Sequence, residues 1–477
     1  MRIVGKILKW LGLAAFVAVI GTAGWLYVFP PELIRVGTAY AAKIVCSNAF
    51  IARRDPAEVL AVDVQAPGHP LLKHVEIERH DDYVATNFYG LLAEEVAVYR
   101  DGLGCANAPG GDVDAVRAVK LATVAAAKPD SDFEWPMGDE VSRGGYPQVQ
   151  ALMSDAELAG PGMRAIVVVK NGHIIAESYG KGFSAATPLL GWSMAKTVTA
   201  TIVAQRVAEG KLRWDQDHLL PEWTDERAKI KISDLMAMQS GLALEESYGD
   251  VNDVTRMLFL EPDEAKFVAG KGLEAQPGEK FKYTTGSTVA LSRIWMNSFS
   301  DRQEALAYPR KALFDPIGMR SAIMETDEAG TFSGGSLMYA TARDWARFGL
   351  LLQERGDWNG VQVLPEDFAA MVDTETALSQ GRYTEGLAWK TGPQELPNEK
   401  FGLPEDTFWA QGHDGQSIAM IPSEKLVVVR MGLTPSKLGY GPETMVAKIM
   451  EAARAEPVVE EPPADAADVT GNDDGEN

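Results

Sequence analysis

The sequence predicts an α+β domain held behind one N-terminal membrane-crossing helix, and three observations carry that expectation. Residues 11–29 are an apolar run without a single charge. From Arg164, the stretches 164–170, Asn171-Gly172 and 173–179 read as strand, two-residue turn and strand. Strand-like runs return at 408–421 and 426–431 after a long region of helical spacing, so one sheet gathers both ends of the domain.

At about 1.5 Å of rise per residue, residues 10–29 are long enough to cross a hydrocarbon core of about 30 Å. Arg2, Lys6 and Lys9 precede the run, which places the N-terminus in the cytoplasm and the body outside it, periplasmic or extracellular. Trp25 and Tyr27 suit the far interface. Because Trp25-Leu-Tyr-Val-Phe-Pro-Pro closes the run where a cleaved signal would carry small residues, the segment 1–30 is expected to stay as an anchor in the cytoplasmic membrane.

Residues 31–130 carry no catalytic constellation. Tyr83-Val-Ala-Thr and Glu95-Val-Ala-Val-Tyr99 read as strands between Gly and Pro turns, an accessory segment packed on the main body. The two cysteines, Cys46 and Cys105, both follow the anchor, and in an oxidising compartment they are expected to pair. Such a bridge closes a loop worth roughly 4 kcal/mol on the chain-entropy account.

The main domain is expected over 131–455. Ser193 opens a segment with Met194, Val198, Ile202, Val203 and Val207 on helical spacing, closed by Gly210. Residues 233–241 read as a short helix with Ser233 as its cap and Gly241 at its end. Helices follow near 288–297 and 342–353, then the two terminal strands joined at Pro422, and a last helix to about Arg454. From Glu456 onward come eight acidic residues and no Lys or Arg, so 456–477 is expected to be a solvated, disordered tail.

Composition excludes some functions. A net charge of -22 argues against a nucleic-acid partner, which needs a basic face to replace phosphate counterions. The histidines show no ligand spacing such as His-x-x-x-His, so neither a metal nor another cofactor is expected.

Ser193-x-x-Lys196 is the stretch that carries chemistry. Residues three apart on a helix share a face, so the Lys196 amine can reach the Ser193 hydroxyl and draw off its proton. The second match, Ser178-x-x-Lys181, falls at a strand end and lacks that geometry. Pro277-Gly-Glu-Lys-Phe-Lys-Tyr283 offers an exposed phenol in a turn, able to relay a proton.

Ser193-x-x-Lys196, the Pro-Gly-Glu-x-Phe-x-Tyr283 segment, Asp315-Pro-Ile-Gly-Met319 and Gly412-His-Asp-Gly-Gln416 resemble, in this order, the motifs of the serine β-lactamase-related hydrolases. That family includes class C β-lactamases, D-Ala-D-Ala carboxypeptidases, certain esterases and 6-aminohexanoate-dimer hydrolases. The resemblance covers about 161–454. It implies a β-lactamase/transpeptidase-like antiparallel sheet flanked by helices, with a helical subdomain. It also implies Ser193 as nucleophile, Lys196 as base, Tyr283 as proton relay and His413 on the strand lining the site. Backbone N–H groups of Ser193 and Gln416 would form the oxyanion hole, with Thr285, Asp414 and Gly415 facing substrate. Lys390-Thr-Gly392 matches the lactamase Lys-Thr-Gly letters, but its Pro393 and Pro397 bar a central strand. Where β-lactamases carry Tyr-x-Asn and Lys, this chain has Thr285 and His413, so the expected substrate is an ester or small amide rather than a β-lactam.

Three alternatives stand beside that reading: a β-lactamase or D-Ala-D-Ala carboxypeptidase proper, an α/β-hydrolase pairing Ser193 with His413 at a degenerate nucleophile elbow, and a non-catalytic binder of cell-wall peptide.

Overall fold

The structure is a computed structural model that describes residues 2–122, 133–141 and 145–454. The acidic tail 456–477 and the boundary expected at 130 lie outside the described residues.

The chain opens with helix α1 (Arg2–Val28), in which Val4–Val28 is long and apolar enough to cross a membrane and has no buried residue in its apolar window. After Pro30-Pro31 the chain enters α2 (Glu32–Phe50), a helix the sequence reading missed in an accessory segment read only as strands. Its core-facing positions are filled by Ala39, Ala41, Ala42 and Ser47, and by the polar Lys43 and Asn48, which blur the apolar period that normally marks a helix. Antiparallel strands β1 (Val75–Arg79), β2 (Tyr83–Phe88), β3 (Leu92–Arg100) and β4 (Gly104–Asn107) form a sheet in that order and pack on α2. The Cys46–Cys105 disulfide joins α2 to β4.

The accessory layer is bolted to the main domain by buried polar contacts. Glu325 of the main domain meets Lys43 Nζ at 2.8 Å, Ser47 Oγ at 2.8 Å and the Cys105 N–H at 2.7 Å. A buried carboxylate with this many partners is tolerated because its charge and lone pairs are answered.

The main sheet contains β5 (Met163–Lys170), β6 (His173–Tyr179), β7 (Phe408–Gly412), β8 (Gln416–Ile421) and β9 (Leu426–Gly432) in the order β7-β8-β9-β5-β6, antiparallel throughout. β5 and β9, distant in sequence, pair centrally with Val167 opposite Val429. Alternate residues serve two cores: Val167 and Val169 face one, Ile166 and Val168 the other. Both faces are therefore covered, which explains the unbroken apolar runs. Among the helices between β6 and β7 are α3 (Met194–Ala208), α4 (Ile232–Met236), α5 (Thr285–Asn297) and α6 (Ala342–Gln353), and α7 (Glu443–Ala453) covers the far face.

Two expectations are corrected. The stretch 408–421 is not one strand: Asp414 (φ 58°) and Gly415 (φ 85°) both take the left-handed conformation and reverse the chain, so β7 and β8 form a hairpin with Gly412 opposite Gln416. Ser233 is not a cap, because α4 begins at Ile232 and the Asp234 carboxylate accepts the Lys231 N–H at 2.9 Å.

Candidate active site

Ser193 occupies the N-cap position of α3, delivered by a tight turn. The short strand Leu189–Leu190 pairs with Met338–Ala340, and the Gly191 N–H then donates to Met338 O at 2.9 Å. Position 191 must be glycine, since a Cβ there would sit 2.3 Å from the Trp345 ring. Trp192 follows with φ 48°, a left-handed conformation that bulky residues rarely adopt and that packing must enforce.

One helical turn on, Lys196 is 1% exposed. Its Nζ lies 3.0 Å from Ser193 Oγ, 2.9 Å from Thr285 Oγ1 and 2.8 Å from Gly335 O. A neutral amine has two N–H bonds and one lone pair. Thr285 and Gly335 take the two N–H bonds, leaving the lone pair for the Ser193 hydroxyl proton. Burial pushes the Lys196 pKa down to about 8, against the opposing pull of Glu246. The arrangement can thus hold a neutral amine against a serine hydroxyl near neutral pH.

Tyr283 completes the cluster. Its ring centroid is 4.8 Å from Lys196 Nζ. The phenol was expected to be exposed; instead the ring packs 5.8 Å from Tyr383 and 5.2 Å from Trp389, because the turn folds back over α3. Burial first, and Glu246 second, raise its pKa above the ordinary tyrosine value, so the phenol keeps its proton and can donate it.

Thr285 was expected to face substrate, but the structure buries its side chain. It begins α5, is fully buried, and gives its backbone N–H (2.8 Å) and hydroxyl (2.5 Å) to the Glu246 carboxylate. Sequence reasoning missed Glu246, which stands in the irregular segment before Tyr248 and meets Thr285 only through tertiary folding. The Tyr248 hydroxyl donates to the same carboxylate at 3.4 Å.

The His413-Asp414-Gly415 turn lies beside Ser193 through its neighbour Trp192. The His413 ring is 5.6 Å from Trp192 and stacks on Tyr248 at 4.9 Å, and its Nε2 is 3.4 Å from Asp414 Oδ1. Burial raises the Asp414 pKa, with His413 opposing. The Gln416 side chain clamps the turn, donating to Gly432 O at 2.5 Å and to His413 O at 3.1 Å and accepting the Gly432 N–H at 2.9 Å. Among the described residues His413 makes no hydrogen bond to Ser193, and the sheet is antiparallel; both observations weigh against an α/β-hydrolase triad.

The decoys fall elsewhere. Ser178 lies in β6 opposite Ile166, and Lys390 Nζ pairs with Asp373 at 3.1 Å. Among the described residues no cluster of His, Cys, Asp and Glu could hold a metal ion.

The family described as Beta-lactamase matches residues 150–438, more than half of the chain. Among solved structures, the fold is similar to that of a putative 6-aminohexanoate-dimer hydrolase from Bacillus anthracis (TM-score 0.51, 23% identity, covering 64% of this chain and 79% of that one). It is similar to that of a putative beta-lactamase from Bacteroides dorei (0.52, 19%, 65% and 100%). A penicillin-binding protein homolog from Caulobacter crescentus is comparable (0.51, 15%, 66% and 98%). At these identities the likeness establishes the fold. An uncharacterized protein of Alkalihalophilus pseudofirmus is 27% identical over 100 residues, 20% of this chain, and the chain spans only 29% of that relative's length. With the antiparallel sheet and the family match on 150–438 in agreement, the chain belongs to the beta-lactamase family and has its β-lactamase/transpeptidase-like fold.

Proposed function

We propose that this chain is a membrane-anchored serine hydrolase that cleaves an ester or small amide through an acyl-enzyme on Ser193. The observation that carries the reading is the 3.0 Å contact between the buried Lys196 amine and the Ser193 hydroxyl. Lys196 accepts the hydroxyl proton as Oγ attacks the substrate carbonyl. The resulting oxyanion is met by the backbone N–H groups of Ser193 and Gln416. Gly412, paired with Gln416, abuts Gly191 O, which supports this assignment. Tyr283 protonates the leaving group as its bond to carbon breaks, and water then releases the acid by the reverse sequence.

Substrate class follows from what surrounds the cluster. Thr285 is spent on Lys196 and Glu246, so no side-chain amide at that position is offered to a β-lactam. His413, with Asp414 and Gly415 behind it, presents an imidazole where a β-lactamase presents an ammonium. α1 supports the anchor by its length and apolarity, and Arg2, Lys6 and Lys9 at its N-terminal end favour a catalytic domain outside the cytoplasm. On this reading 31–130 is an accessory layer and 131–455 the hydrolase domain.

The test is a panel of p-nitrophenyl esters, linear amide dimers, D-Ala-D-Ala peptides and nitrocefin, with Ser193→Ala as control. Ester or amide turnover lost in Ser193→Ala is expected. Rapid nitrocefin turnover, absent from the control, would replace the substrate assignment with a β-lactam.

A further inference from the structure

Beside the cluster, a cavity of about 390 Å³ opens between the main domain and the accessory layer. That size falls within the roughly 300–1,000 Å³ of ordinary small-molecule sites. On the main-domain side it is lined by Trp192, the residue before Ser193, and by Tyr248 and His413, while Ser193, Lys196 and Tyr283 do not themselves line it. On the accessory side it is lined by the first turns of α2, through Leu33, Ile34, Val36 and Gly37, and by Leu71 and Phe88. These accessory residues lie outside the stretch 150–438 that matches the family, so this half of the cavity belongs to the chain's own addition.

We infer that the cavity is an acyl-chain site: it takes a linear, medium-length saturated acyl group whose carbonyl sits at Ser193. This deepens the proposed function and rests on it. The lining is mostly apolar, which suits a hydrocarbon chain, and Asp250, Thr255, Asp414, Ser436 and Lys437 are polar members of it. The cavity also runs toward the anchor. Leu33 follows Val28, the end of α1, by five residues, a reach of at most about 17 Å of extended chain. An amphiphile leaving the bilayer therefore meets the accessory end of the cavity first and the serine last. This gives the accessory layer a function, since it forms the wall that a shorter relative of the fold would lack.

The experiment uses the full chain in phosphatidylcholine nanodiscs and p-nitrophenyl acetate, butyrate, hexanoate and octanoate. Burial of each methylene is worth about 0.8 kcal/mol, so kcat/KM is expected to rise about threefold to fourfold per added methylene up to octanoate. Leu33→Trp and Leu71→Trp, neither in the catalytic cluster, narrow the accessory end. In them the octanoate-to-acetate ratio falls at least tenfold while acetate turnover holds. A second readout is calorimetric binding of octanoate to Ser193→Ala, corrected for empty discs and weakened by Leu33→Trp. Octanoate binding without any ester turnover would leave the acyl site standing and remove the hydrolase reading. Ser193-dependent acetate turnover with no chain-length preference and no octanoate binding would overturn the acyl site alone. Release of octanoate from dioctanoylglycerol dissolved in the disc identifies the bilayer as the source of the chain, and release from the aqueous ester only identifies solution.

Discussion

Glu246 holds Thr285 at two points, its carboxylate accepting the backbone N–H at 2.8 Å and the hydroxyl at 2.5 Å, and that same hydroxyl accepts from Lys196 Nζ at 2.9 Å. A negative charge is thereby linked to the Lys196 amine through one hydroxyl. Burial lowers the Lys196 pKa to about 8 and Glu246 opposes the fall.

Glu246→Gln keeps an oxygen for Thr285 but removes the charge. Without the opposing charge, burial takes the Lys196 pKa below about 8. A base works only when neutral, so the acid limb of kcat/KM against pH for p-nitrophenyl butyrate should move to lower pH in the variant. A limb that stays in place would show that Glu246 merely supports the loop.

Gly412→Ala tests the contact that sets the hairpin against the serine turn. The backbone at Gly412 (φ -133°) is open to any residue, yet a Cβ there would lie 2.1 Å from Gly191 O, a backbone atom that cannot swing aside. The turn carrying Trp192 and Ser193 must shift relative to β7 and β8. Misplacement on the order of 1 Å costs about a hundredfold in rate. We expect kcat for ester cleavage to fall by about that factor, with a folded circular dichroism spectrum retained. Unchanged kcat would show that the hairpin does not set the site's geometry.

What was legible in the sequence was local. Ser193 and Lys196 share one helix face, Asn171-Gly172 carries its own turn, and the valines of β5 and β9 announce buried strands. Glu246 was not legible, because its link to Thr285 joins an irregular segment to a helix start and leaves no period or spacing. α2 was hidden by its own small residues and by Lys43, a core residue only because Glu325 of the main domain answers its charge. The hairpin at His413-Asp414-Gly415 was misread although Asp414-Gly415 is a local turn signal, because 408–421 was taken as one strand. Tertiary pairing, not local propensity, decided the first two.

Lys196→Met separates stability from function. The unfolded lysine titrates near 10.5 and the folded one near 8. Below about 8 the native state must bury an ammonium, a cost of about 3 kcal/mol for a shift of this size. Between about 8 and 10.5 the unfolded chain holds more protons than the folded one, so native stability gains with rising pH. The methionine variant lacks this titration. Urea denaturation of both proteins should therefore show the stability of native relative to variant increasing by about 3 kcal/mol from pH 7 to 10.5, while ester turnover is lost in the variant at every pH. A difference independent of pH would mean that the folded amine titrates at its ordinary value, and Lys196 would then be too strongly protonated to serve as the base.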